Sequence, residues 1–142
     1  MEINPKKPPG LNRLLIVGWA MYAVSFILPM ERHFEWGYEA FWDFFINFFD
    51  VTLEIESILF LAINISNVIM IASPFILSRV NGRALATLLL IGGINNSRFI
   101  WKSGGNGLGS FDLMDMFPAY YVWLLSFFVT GAALWRTPAL RR

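Results

Sequence analysis

The most polar side chains set within apolar sequence are Asn64, Asn67, Asn95, Asn96 and Arg98. A carboxamide carries two donors and an acceptor, and a guanidinium carries five donors and a permanent charge; neither is a nucleophile or a proton carrier at neutral pH. In apolar surroundings such groups pair with one another or hold a polar ligand. A turn centred between Val80 and Asn81 places Asn67 about 13 residues before it and Asn95 about 14 after it. Asn64 and Arg98 match in the same way at about 17. With a rise of ~1.5 Å per residue, each pair lies at nearly equal depth along two antiparallel helices. This predicts a ladder of Asn67 with Asn95 and Asn64 with Arg98, with Gly92-Gly93 letting the backbones approach just below it. Arg98 can extend outward to Glu54, Glu56, Asp112 or Asp115, and Glu56 is nearest in depth. Two uses stay open for the stripe: glue between helices, or a polar pocket or narrow conduit for a headgroup, ion or small polar ligand.

Groups that would do covalent or acid–base chemistry are scarce. The chain has no cysteine and a single histidine, His33, so thiolate chemistry, HExxH zinc sites and bis-histidine haem ligation are excluded. Glu35, Glu39 and Asp43 have the i, i+4 spacing of one helix face, which suits a solvated face better than a cation site. The run Ser103-Gly104-Gly105-Asn106-Gly107-Leu108-Gly109-Ser110 has no following Gly-Lys-Ser/Thr, and reads as a connector rather than a phosphate cradle. No nucleophile–base arrangement is visible, and neither a cofactor nor a metal is expected.

The elements that carry these residues are four long apolar stretches, Leu14–Met30, Ser57–Leu77, Ala84–Ile94 with a polar continuation to Trp101, and Phe117–Trp135. Several are apolar all round, which suits hydrocarbon rather than water. In a chain of 142 residues, 56% of them hydrophobic, four spans of about 20 residues leave only short loops. The expectation is an all-α fold: a four-helix transmembrane bundle forming a single domain over 1–142, with spans near 12–30, 56–78, 83–101 and 116–136. The N-terminal run lacks a small-x-small cleavage site and is read as a retained first span. Ser73-Pro74 is expected to kink the second span, and Asn81-Gly82 to end it in the left-handed conformation. Asp115 stands where an N-cap for the fourth span belongs.

Charge orients the bundle. Lys6, Lys7, Arg13, Arg79, Arg83, Arg136, Arg141 and Arg142 fall on one side, with Glu2 as the single acid. Arg32, Arg98 and Lys102 fall on the other, with Glu31, Glu35, Glu39, Asp43, Asp50, Glu54, Glu56, Asp112 and Asp115. The positive-inside rule then puts both termini in the cytoplasm. The basic residues are dispersed, so no nucleic-acid footprint is expected. No ionisable group falls near the middle of a span and no pair of broken helices repeats, which argues against a proton relay or ion-coupled transport by one subunit.

The outer segment Glu31–Asp50 is crowded with aromatics, including Trp36, Phe41, Trp42, Phe44, Phe45 and Phe48. Phe41, Phe44, Phe45 and Phe48 follow the i, i+3, i+4, i+7 spacing of one helix face, which predicts an interfacial helix. It serves either as an anchoring aromatic belt or as a docking surface for a lipid, quinone, pigment or partner helix.

Trp19, Tyr22 and Ser25-Phe26-Ile27-Leu28-Pro29, followed by Gly37 and Glu39-Ala40-Phe41, resemble a group of small bacterial membrane proteins. These have a W-x-x-Y-x-x-S-F-x-L-P first span, a G-x-E-A-F-like outer segment and an Asn in the second span. The resemblance covers about the first half of the chain; it implies a four-helix bundle in a bacterial inner membrane and carries no activity. The functional expectation is a non-enzymatic accessory or structural subunit that assembles with itself or other integral membrane subunits among membrane lipids. The alternative is a homo-oligomeric pore or small transport protein lined by the polar face of spans two and three.

Overall fold

A computed structural model describes residues 13–30, 36–46, 55–77, 80–98 and 118–136. Among these residues the fold is all helical: α1 (Arg13–Ser25), α2 (Gly37–Ile46), α3 (Ile55–Ile76), α4 (Gly82–Asn96) and α5 (Pro118–Arg136). One isolated bridge, between Pro29 and Trp36, is the sole extended pairing among them.

Helix α1 buries Leu15, Gly18, Tyr22 and Ser25, a single face spaced three and four residues apart. It ends at Ser25, short of the expected Met30. The amides of Phe26 and Ile27 bond three residues back, to Ala23 and Val24, and tighten the last turn; Pro29 has no N–H with which to continue. The chain then folds back on itself: the Gly37 amide donates to the Leu28 carbonyl at 2.9 Å and Tyr38 to Phe26 at 3.0 Å. A side chain at position 37 would run into the Ser25 carbonyl, so only glycine lets α2 start against α1. Glu39 reaches back to the Trp36 amide at 2.9 Å, half of a capping box, and fixes the beginning of α2.

Helix α3 carries Pro74 inside its last turns, where the missing N–H would leave the Met70 carbonyl without its helical donor. The Ser73 hydroxyl fills that role, donating to Met70 O at 2.8 Å. Between α3 and α4, Asn81 corrects an expectation. Its backbone is extended (φ −63, ψ 114) rather than left-handed, and its side chain accepts from the Arg83 amide at 3.0 Å. The residue opens α4 as an N-cap instead of closing α3.

Helix α5 stands at the centre. It packs along α1 on one side and α4 on the other, and α4 in turn packs on α3. Tyr120, Trp123, Leu124, Phe127 and Leu134 form its share of a core completed by Leu15, Tyr22, Ile63, Met70, Leu85 and Leu89. Its first turn is tied to the end of α1, where the Ala119 amide donates to the Pro29 carbonyl at 3.2 Å. Among the described residues α5 is the one helix long and apolar enough to cross a membrane; α1 and the apolar run Leu61–Ile76 are shorter.

Candidate functional site

Asn67 is the hub of the interior. It is 2% exposed, and its Oδ1 accepts two hydrogen bonds, from the Tyr22 hydroxyl at 3.0 Å and from Trp123 Nε1 at 2.9 Å. An indole N–H can only donate, so the contact with Trp123 fixes which way the amide faces. One carboxamide thereby joins α1, α3 and α5. Tyr22 also stands edge-on to Phe127, as does Trp123, so the polar tips are held by aromatic packing around them.

A second junction links α3, α4 and α5. Asn96 Nδ2 donates to Ser66 Oγ at 3.2 Å, while the Ser66 hydroxyl donates to the Ile63 carbonyl at 2.7 Å. Tyr120 closes the junction by donating to the Asn96 carbonyl at 2.8 Å. Gly92 makes this approach possible, since a Cβ there would sit 2.6 Å from Ser66 Cβ. At the far end of α3 a third link forms: Trp19 Nε1 donates to Ser73 Oγ at 2.8 Å. Each serine hydroxyl thus donates within its own helix and accepts from a neighbouring one.

The predicted ladder is replaced by different pairings. Asn67 meets Tyr22 and Trp123 rather than Asn95, and Asn95 donates to the Leu59 carbonyl at 3.3 Å. Arg98, just past the end of α4, turns back to Asn95, Nη1 to Oδ1 at 3.5 Å, instead of crossing to Asn64. Ser66 and Asn96, about 14 residues before the turn and about 15 after it, lie at nearly equal depth and do bond. The faces differ: adjacent residues on a helix point about 100° apart, and Asn67 looks into the bundle while Ser66 looks along the seam with α4. Asn64 is buried. Glu54, Asp112, Asp115 and Phe48 lie outside the described residues, as do the side chains of Glu56 and Phe44 and the whole of His33.

On α2, Phe41 turns inward to meet the Phe26 ring edge-on at 5.2 Å, and Phe45 stacks on it at 6.5 Å. Trp36, Tyr38, Trp42, Phe45 and Ile46 are exposed. Tyr38 donates to Glu39 Oε1 at 3.1 Å, and this bond, followed by desolvation and the carboxylate's charge, pushes its phenol above the ordinary range. Where α1, α2, α3 and α5 meet, Ser25, Phe26, Phe41, Asn67 and Trp123 surround a recess. It offers about 20 Å³ to a water-sized sphere and is partly open to the exterior.

Trp19, Tyr22, Ser73, Tyr120 and Trp123 are partners in these junctions that the asparagine pattern did not reveal. The available signal is their spacing: Trp19, Tyr22 and Ser25, and again Tyr120 and Trp123, recur every three residues and put polar-tipped aromatics on one helix face. The assembly consists of neutral amides, hydroxyls, phenols and indoles; among the described residues no three His, Cys, Asp or Glu side chains gather as metal ligands. Its evident capacity is to hold helices in register and to offer a small polar recess. No protein-family model, curated protein or solved structure is significantly similar to the chain.

Proposed function

We propose that the chain is a small integral membrane protein that crosses a bilayer four times, through α1, α3, α4 and α5, and acts without catalysis as a structural or accessory subunit. The observation that carries this reading is an inversion of polarity. Asn64, Ser66, Asn67, Ser73, Asn96, Ser126 and Thr130 are buried, whereas Ile16, Val17, Ile65, Val68, Ile71, Phe75, Leu88, Ile91 and Ile94 are exposed, the last at 63%. Water would select the opposite arrangement, while lipid tolerates apolar surface and drives polar groups into helix contacts. The apolarity of α5 adds little, since a central helix is apolar in any solvent. The outward faces of α1, α3 and α4 carry the inversion.

The buried polar groups favour holding over conducting. A pore lined by the polar face of α3 and α4 asks those amides to face a lumen; Asn67 and Asn96 are enclosed within one chain by Tyr22, Trp123, Ser66 and Tyr120. Charge orients the bundle with both termini in the cytoplasm and the aromatic α2 at the outer surface of a bacterial inner membrane, among lipids and other membrane subunits.

Because the chain has no native cysteine, single introduced thiols report topology without background. Ser103→Cys should react with an impermeant maleimide on intact cells, and Arg142→Cys only after lysis. Native mass determination in mild detergent should then find unlike subunits; a homo-oligomeric ring that conducts in planar bilayers would replace this reading with a pore.

A further inference from the structure

We infer that the recess between α1, α2, α3 and α5 binds the hydroxyl end of a small apolar molecule, a lipid-soluble alcohol. This goes beyond the holding role and does not depend on it. The polar lining is complementary to a hydroxyl in both senses. Asn67, 2% exposed, uses Oδ1 for both Tyr22 and Trp123, and the donor-only indole prevents the amide from turning round. Both Nδ2 hydrogens are thereby left to the recess that Asn67 lines. Ser25 lines it too; its hydroxyl hydrogen goes to the Tyr22 carbonyl at 2.6 Å, and its lone pairs stay available.

A bound hydroxyl accepts from Asn67 and donates to Ser25. A carbonyl answers only Asn67 and an ammonium only Ser25, while a carboxylate brings a charge that none of the described residues lining the recess offsets. About 20 Å³ admits an oxygen and little beyond its neighbouring carbon, so the remainder of the ligand must lie at the open side. There Phe26, Phe41, Trp123 and Met30 supply aromatic and thioether surface that suits an apolar body.

The test uses the full chain in detergent micelles, labelled with ¹⁵N-asparagine, with the Asn67 side-chain amide assigned through its own Cβ. The probes are 1-butanol and 1-chlorobutane, which match in size and differ in the hydroxyl. Butanol should shift the Asn67 amide signals saturably and leave those of Asn95 and Asn96 in place, and chlorobutane should leave all three unmoved. Ser25→Ala should weaken butanol binding by about 2- to 10-fold, the loss of one hydrogen bond. Met30→Phe narrows the open side without removing any hydrogen bond, and should abolish the shift even if Ser25→Ala folds poorly. An equal response to both probes would make the recess a plain apolar void. Contacts from the Asn67 amide to water alone, with no response to butanol, would make it a hydration site. Either result overturns the inference.

Discussion

The indole of Trp19 donates to the hydroxyl of Ser73 at 2.8 Å, across 54 residues of sequence and one residue before a proline. Because Ser73 simultaneously serves the Met70 carbonyl that Pro74 leaves without a donor, one hydroxyl repairs α3 and ties it to α1.

Ser73→Ala should therefore cost more than one ordinary hydrogen bond, about 1–3 kcal/mol, since it leaves the Met70 carbonyl and the half-buried Trp19 indole unpaired. Pro74→Ala returns an N–H to the position facing Met70 O. The double variant Ser73→Ala/Pro74→Ala should regain part of the loss, and a cycle of unfolding titrations in mixed micelles measures the coupling.

Asn67→Leu and Asn95→Leu should differ sharply. The first strands the Tyr22 hydroxyl and the Trp123 indole together, for a loss of about 2 kcal/mol or more. The second removes two contacts of 3.3 and 3.5 Å at a half-buried position and should cost under about 1 kcal/mol. Thermal unfolding of the two variants side by side, followed by near-UV circular dichroism, checks the order.

Gly18 faces Thr130, whose buried Oγ1 has no hydrogen-bond partner, and a Cβ at position 18 would strike that oxygen. Gly18→Ala should separate α1 from α5 at a cost of about 1–3 kcal/mol. Thr130→Ala removes both the obstacle and the unpaired hydroxyl, so alone it should be close to neutral. Combined with Gly18→Ala it should recover part of the loss, since the backbone N and Cα of residue 130 still lie 3.1 and 3.2 Å from a Cβ at position 18, and the non-additivity is visible in unfolding midpoints.

The Tyr38 phenol, raised by its bond to Glu39, should titrate above its ordinary value of 10.0. Its neutral form is the one that Glu39 holds, so the contact is complete below pH 10 and is lost as pH rises through the elevated value. Glu39→Gln should bring the titration down, measured by phenolate absorbance with Tyr38→Phe as the subtraction reference.

Helix content and the depth of the polar groups were legible from apolar runs and a turn. Ser66 and Asn96 meet where the count from Val80 and Asn81 puts a nearly equal pair. Rotation was not legible, because it depends on which neighbour lies beside each face. Asn67 is one residue from Ser66, yet its partners come from α1 and α5, which no count within the α3–α4 hairpin can reach. The end of α1 was hidden for a related reason. Phe26 through Leu28 are apolar enough to continue a helix, and besides Pro29 what ends it is backbone bonding to Gly37 and Tyr38 farther along the chain.

The last helix in chain order is the middle of the bundle. Without α5, α1 and α4 are joined through α3, Asn67 has one of its two donors, and the Pro29 carbonyl has no Ala119 amide to receive. The earlier helices share bonds among themselves, but the final helix supplies the Trp123 donor to Asn67 and the Tyr120 donor to the Asn96 carbonyl, and so completes the inward arrangement of their polar groups. A chain interrupted before residue 118 would show its asparagines to whatever surrounds it, and so announce itself as unfinished.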